Sequence, residues 1–263
     1  LIAILGVSSI APALPRIADA LGVGAAEVAL LITAFTLPGV VLTTFAGILA
    51  DRYGRLRILV PGLLLFAAAG VACVFARSLP VLIALRVVQG IGASPIGSIN
   101  VTLIGDLFTD RQRTTAMGLN ASLLSIGTAA YPAVGGALAV LAWSAPFALA
   151  LLALPVAWLV LRRLQVAPRG QRSHLGEYFG GLWTVVRRPQ VLLLFFTSTA
   201  IFILLYGAYL TFLPFLMVER FGSSPPQIGL MMGWLSLATA LTSANLGRLA
   251  ARLGHRRLMA LGF

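Results

Sequence analysis

The sequence predicts an all-α polytopic membrane protein assembled from a duplicated helical unit, and three observations predict it. The chain is 59% hydrophobic and 10% charged over 263 residues, with a mean hydropathy of +0.99, whereas a soluble domain carries about 25% charged residues. The charges fall in short segments between uncharged apolar runs of helical length, not between the alternating segments of about ten residues that build a membrane barrel. Finally, Phe45–Leu59 reads FAGILADRYGRLRIL and Asn245–Met259, 200 positions on, reads NLGRLAARLGHRRLM. The two share Gly47/Gly247, Leu49/Leu249, Ala50/Ala250, Arg52/Arg252, Gly54/Gly254 and Arg57/Arg257.

The spans follow in order. Leu1–Leu14 is shorter than the roughly 20 residues a spanning helix needs, and it lacks Met and a basic start. It reads as a first span trimmed at its N-terminus rather than as a signal peptide. Val28–Ala50 and Ile58–Ala76 are the second and third spans, and Ser78–Gly105, interrupted only by Arg86, is the fourth. Thr114–Leu161, at 48 residues, is too long for one helix. It divides into the fifth and sixth spans near Trp143-Ser144-Ala145-Pro146, where an aromatic and a proline mark an interfacial turn. Val191–Val218 and Phe221–Gly247 are the seventh and eighth, and Leu258–Phe263 starts a ninth, so the chain reads as a fragment. Arg162–Gln190 is the one long polar segment. Its stretch His174–Arg187 sets Leu175, Phe179, Leu182 and Val186 on one face of a surface-lying helix, with a solvated linker as the alternative.

The repeat extends beyond the basic turn. Leu14-Pro15 matches Leu213-Pro214, Asp19 matches Glu219, Leu21-Gly22 matches Phe221-Gly222, Glu27 matches Gln227 and Leu30 matches Leu230. The seventh span therefore repeats the first and the eighth the second. This divides the chain into a six-helix unit over 1–163, a linker over 164–190 and part of a second unit over 191–263, related by an axis along the membrane normal.

Arginine placement sets the orientation. Of the 19 basic residues, all Arg, 15 lie in the turns 51–57, 106–113, 162–190 and 248–257. Arg16, Arg77 and Arg220 on the other side are offset by Asp19, Glu27 and Glu219. The positive-inside rule places the first group, linker included, in the cytoplasm of a cell (inner) membrane. The net charge of +12 is thereby topogenic and implies no nucleic-acid partner. Cys73 is the single cysteine and lies in an apolar run, which excludes a disulfide framework and a cysteine metal site. His174 and His255 stand in polar segments without acidic or nucleophilic partners, so an embedded enzyme is disfavoured and no cofactor is called for.

Several residues stand out within this plan. Gly47 leaves room for close helix approach and Gly54 permits a tight turn, while Asp51 and Arg55 are spaced i,i+4. Asp106 lies at another helix end on the same side. Arg86 sits roughly 12 Å inside the fourth span at about 1.5 Å per residue. Burying it costs at least ~2.5 kcal/mol on insertion scales and implies function by default, with snorkelling to the surface as the alternative. Gln89, at i+3, shares its face. Gly127, Gly135 and Gly136, with Pro132, bend the fifth span or let another helix pack closely. Asn100 and Asn120 line a cavity or bond a neighbouring helix. Tyr206 and Tyr209 are spaced i,i+3 and are placed to stack a flat substrate. No Asp or Glu lies deep in any span. Glu27, at an outer edge, is better read as a helix start than as a proton carrier.

Three of these groups resemble signatures of the major facilitator superfamily. Gly47-Ile-Leu-Ala-Asp51-Arg52-Tyr-Gly54-Arg55-Leu-Arg57 resembles the motif between helices two and three, with Leu56 a departure. Arg86-Val-Val-Gln89-Gly90-Ile-Gly92-Ala93 resembles the helix-four motif. Gly127-Thr-Ala-Ala-Tyr131-Pro132-Ala-Val-Gly135-Gly136 resembles the helix-five antiporter motif, with Tyr131 in place of a glycine. The resemblance covers essentially the whole chain. It implies two six-helix bundles and proton-coupled efflux of a drug or metabolite by a monomer in the bilayer, driven by the proton gradient. It also implies a gating cluster of Asp51, Arg55 and Asp106 that latches the outward-facing state, and a proton-coupling or substrate role for Arg86. The second copy of the turn has Ala251 and His255 where the first has Asp51 and Arg55, so any latch belongs to the first half. Proton-coupled uptake of a sugar or metabolite, and a transport-inactive sensor or scaffold, are the alternatives.

Overall fold

A computed structural model describes residues 2–164 and 189–253. The segment 165–188, with the expected surface helix His174–Arg187, and the start of a ninth span lie outside the described residues. The described chain is built from long helices: α1 (Ile2–Leu21), α2 (Ala25–Tyr53), α3 (Arg55–Phe75), α4 (Leu79–Leu107), α5 (Asp110–Leu141), α6 (Ala145–Arg163), α7 (Val191–Phe221) and α8 (Pro225–Leu253). Seven of them are long and apolar enough to cross a membrane. The exception is α8, whose 29 residues have the length but include Pro225, Pro226, Gln227, Ser236 and Thr239.

Several helix boundaries differ from the sequence expectation. The first helix does not stop at Leu14 but runs on to Leu21, which gives it 20 residues and the length to span. Pro15 is tolerated because it stands at the start of a fresh α-helical segment, Leu14–Leu21, where its missing N–H costs nothing. Helix α8 also runs past Gly247 to Leu253, the repeat counterpart of Tyr53, where α2 ends. Helix α2 begins at Ala25, ahead of the expected Val28, and α8 begins at Pro225, after the expected Phe221, because each start is set by a side-chain cap. The Gly24 amide donates to Glu27 Oε2 at 2.8 Å, and the Ser224 amide donates to Gln227 Oε1 at 2.8 Å. Glu27 and Gln227 are thus equivalent helix starters. The division of the 48-residue run falls where the Trp-Pro turn places it, between Leu141 and Ala145.

Small residues set the packing of the first repeat, since lipid offers no hydrophobic drive for helices to associate. A side chain at Gly90 of α4 would strike the Phe35 carbonyl of α2. One at Gly92 would lie 2.6 Å from the Phe66 amide of α3, and one at Gly62 would lie 2.6 Å from the ring of Pro95. Helix α4 is held between α2 and α3 at van der Waals distance. Leu5, Leu63, Phe66, Leu82, Ile99 and Phe147 fill the space between them. We call the end that carries Asp51–Arg57, Asp106 and Arg162 the basic end, and the other the far end.

Candidate functional site

Arg86 lies in the upper half of α4 with none of its surface exposed. It does not snorkel. Its Nε donates to the Leu31 carbonyl at 3.1 Å, Nη1 to Gln89 Oε1 at 2.6 Å and Nη2 to the Gly6 carbonyl at 2.7 Å. The guanidinium also lies over the Phe35 ring, 4.2 Å from its centroid, with Phe147 at 5.9 Å. One cation therefore joins α1, α2 and α6 to α4. The Gly6 carbonyl is free to accept because α1 leaves α-helical geometry just beyond it: the Ile10 amide, its expected partner, bonds Val7 instead. Glycines make the space. A Cβ at Gly6 would lie 2.5 Å from the Phe35 ring, and one at Gly70 would lie 2.7 Å from Gln89 Nε2. Among the described residues no carboxylate takes part. Carbonyl dipoles and aromatic faces replace the hydration a buried guanidinium loses.

At the basic end Arg55, in the first turn of α3, faces two acids. Its Nη2 is 3.6 Å from Asp51 Oδ1 on the last turn of α2, and its Nη1 is paired with Asp106 Oδ2 at the end of α4. The turn that brings Arg55 round is Gly54, at φ 99°, a conformation open to glycine. The two pairs are unequal. The Arg55 and Asp106 side chains are 14% and 19% exposed, whereas Asp51 is 54% exposed. The sheltered Asp106 pair is the stronger, and the solvated Asp51 pair contributes little. Gly47 faces open space: nothing described lies within 4 Å of a side chain built there.

The helix-five glycines form a seam at the far end. A Cβ at Gly135 would strike the Ser9 carbonyl of α1, and one at Gly136 would strike the Pro225 carbonyl of α8. The contact is reciprocal: a side chain at Gly229 of α8 would strike the Pro132 carbonyl, and one at Gly233 would lie 2.7 Å from the Ala129 carbonyl. Gly127 is buried about two turns from Gly135, toward the basic end. Gly229-Leu-Met-Met-Gly233 is a Gly-x-x-x-Gly helix-association pattern that the sequence displays and that hydropathy reading passed over.

The remaining residues divide. Asn100 and Asn120 meet, Nδ2 of the first donating to Oδ1 of the second at 2.8 Å between α4 and α5. Tyr206 and Tyr209 do not act as a pair. Residues Leu204–Phe212 are π-helical, and this wider winding takes i,i+3 neighbours off one face. Tyr206 instead stacks on Phe202, with ring centroids 5.7 Å apart and planes at 18°. The Tyr209 hydroxyl donates to the Met232 carbonyl at 2.9 Å and ties α7 to α8. Among the described residues no group of His, Cys, Asp and Glu is arranged to hold a metal ion.

Known proteins share this pattern. The chain is 25% identical to Multidrug resistance protein 2 of Bacillus subtilis (strain 168), over 99% of the chain and 67% of that protein. It is 27% identical to Chloramphenicol resistance protein of Pseudomonas aeruginosa, over 100% of the chain and 62% of that protein. With the Bacillibactin exporter of Bacillus subtilis (strain 168) it shares 33% identity over 56% of the chain and 38% of that protein. The chain thus spans about two thirds or less of the length of these relatives. Matched from residue 1 to residue 263, it belongs to the Major Facilitator Superfamily, whose members are transporters and not enzymes.

Proposed function

We propose that the protein is a secondary transporter that exports a small hydrophobic or amphipathic molecule by alternating access, in exchange for protons. It works as a monomer in a cell (inner) membrane with its basic end in the cytoplasm and needs no cofactor. The observation that carries this reading is the charge cluster at the basic end, where Arg55 of α3 is paired with Asp51 of α2 and Asp106 of α4. At the far end, α5 of the first repeat and α8 of the second are interlocked through Gly136, Gly229 and Gly233. Asp51, Arg55 and Asp106 then gate the cytoplasmic side. Arg86 with Gln89 supplies the coupling charge, and Asn100, Asn120, Tyr206 and Tyr209 border the substrate path. Efflux is favoured because the relatives bear exporter and resistance names and no acid for binding a cation lies deep in a described span.

The test is proton movement by the complete gene product in proteoliposomes under an imposed substrate gradient. Protons moving against the substrate support antiport. Protons moving with it support the symport reading, and no flux with any candidate compound supports a sensor or scaffold.

A further inference from the structure

The two repeats break the same helix at the same place. Helix α1 leaves α-geometry at Ser9, turns tightly through Ala11–Ala13 and resumes it at Leu14. Helix α7 is π-helical over Leu204–Phe212 and resumes α-geometry at Leu213, the repeat counterpart of Leu14. Each then runs a short terminal segment, Leu14–Leu21 or Leu213–Phe221, closed by a left-handed glycine, Gly22 at φ 65° and Gly222 at φ 61°. One break is overwound and the other underwound, yet both precede a Leu-Pro pair, and the two terminal segments touch each other at the far end. At the start of its break, at Ser9, α1 is seated on α5 by Gly135. Above the break the tie is polar. Arg16 Nη1 donates to the Ala139 carbonyl at 2.7 Å and to the Val140 carbonyl at 3.4 Å. These carbonyls lie in the last turn of α5, beyond the bond from the Ala142 amide to Leu138 that closes the helix. A cation there satisfies unpaired carbonyls at the negative end of the helix dipole. The counterpart position in α7 is Phe215, so the tie belongs to the first repeat alone.

We propose that Arg16 is a positioning residue for closure of the far end. It pins the terminal segment of α1, which the break above Ser8 frees to swing, onto the end of α5, where the segment meets its counterpart in α7. This rests on the alternating-access reading, in which the far end must also open. A swing of the segment lengthens a 2.7 Å bond beyond hydrogen-bonding range within about an ångström, so the tie exists only in the closed arrangement and biases the equilibrium toward it.

The test uses the complete protein with Cys73→Ala and spin labels at Asp19→Cys and Glu219→Cys, both exposed positions on the terminal segments, in liposomes without substrate. Pulsed electron paramagnetic resonance reads the ratio of short to long label separations. Arg16→Ala and Arg16→Gln are expected to shift that ratio toward the long separation by about five- to tenfold, the worth of one charge-assisted bond at a helix terminus. Arg16→Lys, which keeps a cationic donor, is expected to stay within about twofold of the parent. An unchanged ratio in Arg16→Ala and Arg16→Gln, or Arg16→Lys shifted as far as Arg16→Ala, overturns the proposal. The label distances need no identified substrate. A parent protein without flux but with the Arg16 effect refutes the transport reading alone.

Discussion

Replacing Arg86 with methionine separates what the residue does for packing from what its charge does. Three bonds, at 3.1, 2.6 and 2.7 Å, and a ring contact at 4.2 Å hold the guanidinium. Each charge-assisted bond contributes about 1.5–3 kcal/mol, and the desolvated cation–π contact about 2 kcal/mol. Against these stands the several kcal/mol that an ion loses on leaving water, so the net worth of such a site is small. Methionine keeps most of the stem volume. What it leaves behind is the Gly6 carbonyl, whose helical donor is engaged elsewhere, at a cost of about 1–3 kcal/mol. Arg86→Ala adds a cavity and costs about 2–5 kcal/mol. Unfolding in detergent, followed by tryptophan fluorescence, is therefore expected to show Arg86→Met more stable than Arg86→Ala by at least ~1 kcal/mol. Both variants are expected to lose at least about tenfold in substrate-driven proton flux, the equivalent of about 1.4 kcal/mol. Normal coupled flux in Arg86→Met refutes the assignment of the charge to coupling. Equal instability of the two variants refutes the packing argument.

The other predictions concern the two ends of the molecule. Gly233→Ala puts a carbon 2.7 Å from the Ala129 carbonyl oxygen, inside the ~3.3 Å such a pair tolerates. Overpacking of about 1–3 kcal/mol should separate α5 from α8, read as a longer distance between labels at Trp143 and Ser223. Asp106→Asn should destabilise the protein more than Asp51→Asn, because Asp106 is itself sheltered while Asp51 is solvated. The Asp51→Asn effect should also vanish at high salt in thermal unfolding, while that of Asp106→Asn persists. Gly54→Ala forces a side chain into φ 99° and is expected to cost about 1–3 kcal/mol in the same assay.

Much of the site was legible because its signals are local. The Gly54 turn, the i,i+4 spacing of Asp51 and Arg55 and the lone charge in the fourth span are visible in a few residues each. The pairing of Asn100 with Asn120 was one of two open readings, and their 20-residue separation could not choose between them. Tyr206 and Tyr209 look like neighbours under α-helical periodicity. They are separated because the chain winds as a π-helix, and no propensity rule marks that winding.

By itself the sequence determined the helical class, the glycines of helix five and the charges at each end. Hydropathy, small residues and charge placement act on the chain one helix at a time and need no partner to be read. Only the tertiary structure decided which neighbours those residues meet. It put Arg86 in a cage of carbonyls rather than beside an acid, made Asp106 the principal partner of Arg55, and set Gly229 and Gly233 against helix five. These are contacts between helices far apart in the chain. Close packing, in which a single methyl group opens or closes an interface, selects them.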